Sequence, residues 1–387
     1  MFEETPRLHP AQLTFRAPAR VNLLGEHTDY TGGLVLPMAI PFHTIATITP
    51  SATNAFTFTS ALFPTLRTLH PEDHPEAIQD WSDYPVGVLR ELQMLGIDPP
   101  PFDLHLSGNV PFGSGLSSSA SVEVASCLAM LAFAGSTLPE AEIAVLCRRA
   151  ENNFVHSPCG IMDQFVITAA HAGHALLLNT RELTVEHLPM NQGSLADTRI
   201  VVCNSMVRHS VATGEYGTRR REAEAGQAAI LARFPGLRDL GDATLDHLAA
   251  CREDMSPASF RRCRHLITDN HRVRQARDVL RSGDPVGFGH LMLQGHVSER
   301  DDFECSTPEI DFLVETAAQL PGCYGARLTG GGFGGCTVNL VDRAYADTFA
   351  TALKQAYQQQ YNIAAETYLC EAVDGAVALA SSSTANH

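Results

Sequence analysis

Ser107-Gly108-Asn109-Val110-Pro111-Phe112-Gly113-Ser114-Gly115-Leu116-Ser117-Ser118-Ser119-Ala120-Ser121 is the stretch on which the reading of this chain turns. It begins where an alternating apolar run (Phe102, Leu104, Leu106) ends, and it opens into an apolar, helix-forming segment from Val122 to Ala134. Gly113 and Gly115 can take backbone angles closed to other residues and let another molecule approach the main chain. Serines 117, 118, 119 and 121 suit a helix N-terminus, where their hydroxyls can accept the first free N–H groups. Such a start is an anion site, above all for phosphate; a plain strand–turn–helix joint with serine caps is the other reading. Gly-Lys-Ser/Thr is absent, and Lys354, far from any glycine-rich segment, is the chain's single lysine. The protein-kinase residue set is missing, and Gly113 and Gly115 are followed by Ser118 where a dinucleotide loop needs a third glycine. Phosphate bound here must be held by amides, hydroxyls and a metal ion.

Working outward, 387 residues suffice for two domains with full cores. Hydrophobic content of 44% with 18% charged residues describes a soluble globular chain. A net charge of −16 argues against nucleic acid or an anionic membrane as partner, and asks for a divalent cation beside any bound triphosphate. The ten cysteines are scattered with no C-x-x-C pair, so we expect reduced, mostly buried thiols. Met1 to Pro10 lacks the pattern of a secretory leader, and no apolar run reaches membrane-spanning length. A cytoplasmic location is expected.

Upstream, Leu13 to Leu24 reads as a strand, followed by the polar loop Gly25-Glu26-His27-Thr28-Asp29-Tyr30-Thr31-Gly32-Gly33 and the apolar run Leu34 to Ile40. Turn chemistry accounts for Asp29 and the glycines. Glu26, His27 and Asp29 on one short loop exceed what a turn needs, and carboxylates accept well from sugar hydroxyls. Arg20, in a largely apolar strand, either pairs with a buried acid or belongs to a site. Ile45 to Phe58 continues the sheet, Leu62 to Asp80 reads as an exposed loop, and Trp81 to Tyr84 lead into a helix ended by Gly96.

Downstream, Thr137 to Glu140 has the form of a capping box. The helix that follows puts Ile143, Leu146, Cys147 and Ala150 on one face, and Glu151 shares it. A carboxylate aimed at a core is a Mg²⁺ ligand or half of a buried salt bridge. Ser157-Pro158 predicts another helix start, with Asp163 within two turns among apolar neighbours, as a site residue or a favourable dipole partner. We set the domain boundary at Met190 to Asp197, giving lobes 1–190 and 191–387. Helices run from Gly214 to about Leu320, with Arg219-Arg220-Arg221 as a solvated face. Gly330 to Gly335 lies between two strands, a site of close backbone approach or a flexible hairpin turn. Residues 380–387 read as a frayed tail.

Three stretches together, PARVNLLGEHTDYTGG (Pro18–Gly33), NVPFGSGLSSSAS (Asn109–Ser121) and LTGGGFGGC (Leu328–Cys336), resemble the GHMP small-molecule kinases. The first is similar to the galactokinase signature, as are CGIMDQF (Cys159–Phe165) and the E-Y-x-x-R-R run from Glu215 to Arg220. The resemblance implies an α+β fold of two lobes, with mixed sheets and helices and the active site in the cleft between them. It implies transfer of phosphate from ATP to the 1-hydroxyl of D-galactose, with Mg²⁺. Asp163 would be the base or charge-positioning acid, with Arg20 beside it. Glu26, His27, Asp29, Gly160, Asp163 and Tyr216 would hold the sugar. Gly113, Ser114, Gly115, Leu116, Ser117, Ser118 and Ser119 would wrap the phosphates, Trp81 and Tyr84 would flank adenine, and Ser119 and Glu151 would take the metal. Ala19 departs from the family's usual glycine, which bears on local backbone geometry. Partners are then the two small molecules alone, and a monomer is expected. A sister kinase for N-acetylgalactosamine or another sugar shares nearly every motif. A non-catalytic galactose and ATP sensor on the same fold is the other alternative, although sensors lose residues in the serine loop and this one is complete.

Overall fold

Every other side chain of Leu13–Asn22 faces a core at its start, and the strand is buried from Ala17 onward. This is β1, and the computed structural model builds residues 12–111, 113–208 and 212–380 around it. The first half continues as β2 (Leu34–Val35), β3 (Pro37–Pro50), β4 (Phe56–Ser60), β5 (Arg67–Leu69), α1 (Asp83–Met94), β6 (Phe102–Gly108), α2 (Ser118–Phe133) and α3 (Glu140–Arg149). Next come α4 (Met162–Ala169), β7 (His174–Asn179) and β8 (Thr184–Pro189). The second half holds β9 (Thr198–Arg208), α5 (Ala212–Arg233), α6 (Leu245–Ala250), α7 (Pro257–Ser282), α8 (Pro285–Ser298) and α9 (Pro308–Gln319). It closes with β10 (Cys323–Thr329), β11 (Gly334–Asp342), α10 (Ala346–Tyr361), β12 (Glu366–Cys370) and β13 (Val377–Leu379).

The architecture is α+β. Six strands in the order β13-β1-β3-β6-β4-β5 form one sheet, antiparallel except for the β4–β6 pair. A second sheet runs β10-β11-β9-β12 and a third β2-β7-β8. One core cluster draws on residues between Phe15 and Leu178, a second on residues between Val201 and Ala365. The third takes Val21, Leu23, Leu36 and Leu116 from the first half and Val202, Met292 and Val338 from the second. Apolar contact thus ties the halves together behind a polar cleft. No helix among the described residues is long and apolar enough to cross a membrane.

Several local expectations change. The register of β1 on β3 shifts between Pro18 and Ala19, and Ala19 is buried there without a left-handed backbone, so alanine fits in place of glycine. The loop Leu62 to Asp80 contains β5, paired with β4. Thr137 is no cap: α3 begins after Pro139 without a side-chain bond. Ser157-Pro158 starts no helix. The chain leaves a π-turn at Ala150–Phe154, turns left-handed at His156, and is held extended by Asn152 Oδ1 accepting from Cys159 N at 2.7 Å. The helix begins four residues later, at Met162. Of the arginine triplet, only Arg221 is exposed; Arg219 and Arg220 are half-buried. The expectations for Met1 to Pro10 and for 381–387 lie outside the described residues.

Candidate active site

Arg20 enters the cleft from β1 and is 5% exposed. Its Nε donates to Asp163 Oδ1 at 2.6 Å and its Nη2 to Oδ2 at 2.5 Å, a two-point grip matched to guanidinium and carboxylate geometry. Nη1 donates to Gly115 O at 2.6 Å, so one side chain joins the acid to the serine loop. Ser117 Oγ also donates to Asp163 Oδ2. A carboxylate offers about four acceptor directions. Three are taken by protein, and the side chain, 25% exposed, opens toward the cleft with the remainder.

The loop Gly25–Gly33 folds on itself: Thr28 Oγ1 donates to Gly25 O at 2.9 Å and Leu34 O at 2.7 Å. Glu26 Oε1 accepts from Gly330 N at 2.9 Å, and burial, opposed by Arg327, pushes its pKa up to about 7. His27 stands in a left-handed conformation with its ring stacked 4.1 Å from Phe303. Burial drives its pKa down to about 3, so the imidazole is neutral. Its Nε2 is buried beside the Gly331 main chain with no well-formed hydrogen bond. Asp29 lies against Gly160, where any Cβ would overlap its carboxylate. Burial, then the charge of Asp163, raises the pKa of Asp29 to about 6. From α5, the Tyr216 ring lies 5.4 Å from His27, and the Arg220 guanidinium sits 4.9 Å over Tyr30. Arg20, Glu26, His27, Asp29, Asp163, Tyr216 and Gly330 to Phe333 line a cleft of about 630 Å³.

Beside it, Gly113, Gly115 and Ser117 all take positive φ (65°, 79° and 62°) and wind the serine loop into α2. The serines are not caps. Ser114 Oγ donates to Pro111 O, Ser117 to Asp163, and Ser121 to Ala17 O and Thr44 Oγ1. With no side-chain cap on α2, its first N–H groups stay available to an anion. Leu116 is buried beneath them. Next to Ser118 and Ser119 is a small slot bounded by Phe63, Trp81, Tyr84, Leu106 and Val122. Trp81 Nε1 is fixed by Thr65 Oγ1 at 3.0 Å.

Glu151 is buried with no basic side chain within 4 Å among the described residues, so the salt-bridge alternative fails there. Its carboxylate takes hydrogen bonds from Gln164 Nε2 at 2.7 Å and from Ser119. Gln164 Nε2 also reaches Glu123 Oε2 at 3.1 Å, and Glu123 Oε1 is buried without a partner. Two buried acids without a cation form a donor set suited to a divalent ion. No group of three His, Cys, Asp or Glu gathers there among the described residues.

The fold thus gathers Arg20, Glu26, His27, Asp29, Gly160, Asp163 and Tyr216 around one cleft. Trp81, Tyr84, Ser118 and Ser119 line the neighbouring slot; Gly113 to Ser117 lead into it along the chain, and Glu151 is joined to Ser119 by a hydrogen bond. Sequence reasoning missed Glu123, Gln164, Phe63 and Phe303. Glu123 left a trace, as the one charged residue between Val122 and Ala134 and four after Ser119, on the same helix face. Phe63 and Phe303 left none.

Residues 2–50 match the family described as galactokinase galactose-binding signature, 83–171 the GHMP kinases N terminal domain, and 276–359 the GHMP kinases C terminal domain. The chain is 39% identical to a galactokinase of Roseiflexus sp. (strain RS-1) over 97% of this chain and 94% of that one. It is 40% identical to the Bos taurus galactokinase over 95% and 92%. The crystal structure of Lactococcus lactis galactokinase complexed with galactose superposes with a TM-score of 0.91, at 29% identity and 96% coverage of both chains. A Methanococcus jannaschii mevalonate kinase, at 18% identity and a TM-score of 0.67 over 96% of this chain and all of the other, shares the fold. The chain belongs to the galactokinase family of the GHMP kinases.

Proposed function

We propose that this chain transfers the γ-phosphoryl group of ATP to the 1-hydroxyl of D-galactose, giving galactose 1-phosphate and ADP. The observation that carries the reading is the Arg20–Asp163 pair, standing where a carboxylate-lined cleft meets the uncapped start of α2. Glu26, His27, Asp29, Gly160, Asp163 and Tyr216 hold the sugar, and its 1-hydroxyl takes the open acceptor direction of Asp163. As the sugar O–P bond forms, the bond from the γ-phosphorus to its bridging oxygen breaks and its electron pair leaves with ADP. The hydroxyl proton passes toward Asp163, which acts as base or holds the proton by its charge. Arg20 steadies that carboxylate and the charge on the transferring group. Main-chain amides from Gly113 to Ser119 cradle the phosphates, and Trp81 and Tyr84 flank adenine. Ser119 and Glu151 would hold Mg²⁺, which supplies charge neutralisation on the phosphate oxygens.

Residues 1–190 and 191–387 serve as two lobes, a division supported by the two separate core clusters except at β13 (Val377–Leu379), which joins the first sheet beside β1. We further propose a monomer working in the cytoplasm, a reducing compartment that suits ten unpaired cysteines. The test is a panel of D-galactose, D-glucose and N-acetylgalactosamine with ATP and Mg²⁺, read by ADP release. Galactose should be strongly preferred, because a site built to pair hydroxyls discriminates by up to about 10⁴-fold. Equal turnover of N-acetylgalactosamine would move the assignment to the sister kinase. Tight sugar and nucleotide binding without turnover would make the chain a sensor.

A further inference from the structure

His265 and Asp269 share one face of α7, four residues apart, Asn270 follows directly, and all three are buried. Each meets the segment that carries Glu26 and His27. Asp269 Oδ2 accepts from Gly25 N at 2.8 Å and from Glu26 N at 3.0 Å. His265 Nε2 donates to Glu26 O at 3.1 Å, and Asn270 Oδ1 accepts from Leu34 N at 2.9 Å. Behind them Arg327, fully buried, donates to Leu23 O at 3.1 Å and to Glu299 Oε1 at 2.7 Å. Arg272 Nη1 holds the other oxygen of Asp269 at 2.7 Å.

We propose that Asp269 is a positioning residue for sugar binding, an inference that rests on the sugar-kinase reading above: by gripping two consecutive N–H groups it fixes where Glu26 and His27 stand in the cleft. The loop's turn does not depend on it. Thr28 closes that turn from within, through its hydroxyl and through its carbonyl, which accepts from Thr31 N and Gly33 N. What Asp269 sets is the placement of the loop's first limb. Glu26 bonds Gly330 N across the cleft, and His27 meets the Phe303 ring, so a small slide of that limb moves both groups together. An anion suits the task, since one oxygen serves two donors and the other a guanidinium. Burial favours the neutral acid, but Arg327, His265 and Arg272 outweigh it and hold the pKa down at about 2. Gly25 completes the device. At φ +90° it brings the main chain against Leu34 O and Val35, where no side chain fits.

Asp269→Asn tests this. One carbonyl oxygen cannot serve both the loop amides and Arg272, and the new NH₂ group faces a donor. Calorimetric titration of the purified full chain with galactose, and separately with ADP, reads the outcome. Galactose affinity should fall about 10- to 100-fold, the effect of displacing positioned groups by an ångström or less, while ADP affinity holds. A lower melting temperature with unchanged galactose affinity would make Asp269 merely structural and overturn the proposal. Should Asp269→Asn fail to fold, Arg272→Met decides by the same titration. That change frees the carboxylate to turn, so galactose affinity should fall severalfold, and no fall overturns the proposal. A wild-type chain that binds no galactose would instead overturn the sugar-kinase reading, which keeps the two failures distinct.

Discussion

Asp163→Asn preserves size and shape but removes a charge and a proton acceptor at the centre of the cleft. Arg20 keeps its bond to Gly115 O, and one of its two bonds to residue 163 survives through the amide oxygen. In either orientation the amide NH₂ faces a guanidinium N–H: Nε alone if it takes the place of Oδ1, or Nη2 together with Ser117 Oγ, which can turn its hydrogen away, if it takes the place of Oδ2. Loss of the acceptor should lower turnover by ~10²–10⁴-fold, the usual share of general acid–base catalysis. That corresponds to about 3–5 kcal/mol of barrier. Stability should fall less. Removing one partner of a fully buried ion pair costs about 3–5 kcal/mol, but Asp163 is partly exposed and half of the pairing survives, so about 1–2 kcal/mol is expected. ADP release per folded molecule, corrected by the melting curve, separates the two effects. Nucleotide binding should survive, because the serine loop keeps its Arg20–Gly115 and Ser114–Pro111 bonds even where Ser117 loses its acceptor. Arg20→Ala should also slow turnover, and the double variant should be less than additive, since each group acts through the other. If turnover per folded molecule were unchanged while the melting temperature dropped, Asp163 would be a structural partner of Arg20, and the base would have to be sought at Asp29.

If Glu151 holds Mg²⁺ as proposed, Glu151→Gln should raise the Mg²⁺ concentration needed for half-maximal turnover by about 10-fold or more while leaving galactose affinity intact, because the proposed ligand would lose its charge. A Mg²⁺ requirement that does not move refutes the assignment. Gly160→Ala drives a Cβ into the Asp29 carboxylate, so galactose binding in a calorimeter should weaken severely with nucleotide binding unaffected. Asp29, with its pKa raised to about 6, is ionised at pH 7.5 and largely protonated at pH 5. Galactose affinity should therefore fall as pH drops through 6, and Asp29→Asn should flatten that step; a step that persists in the variant assigns it to another group. The stability linkage of Asp29 has the opposite sense. Its folded pKa lies above the unfolded value, so its contribution is full below about pH 4 and is lost as pH rises through about 6.

What the sequence made legible is what short-range chemistry encodes. The serine loop, the Gly25–Gly33 loop and the glycine hairpin each announce themselves by residues whose backbone freedom or polarity serves no core, and each stands where a strand ends. Capping is subtler. Ser117 looks like a cap because serines before an apolar helix usually are, yet its hydroxyl bonds Asp163, 46 residues on. Propensity could offer the helix start; only the tertiary contact takes the hydroxyl away and leaves the amides open. Thr137 and Ser157 failed as helix starts for a related reason. A local capping signal competes with where the chain must go next, and the π-turn after α3 spends the residues up to Ile161 carrying Gly160 against Asp29. The buried polar groups of α7 were hidden in another way. His265 and Asp269 lie among arginines, with no nearby motif to set them apart. Their partners, the amides of Gly25 and Glu26, lie some 240 residues away, and main-chain groups carry no sequence signature. A motif marks the residues that meet the substrate, whereas the groups that aim those residues act through the backbone and must be found in the fold.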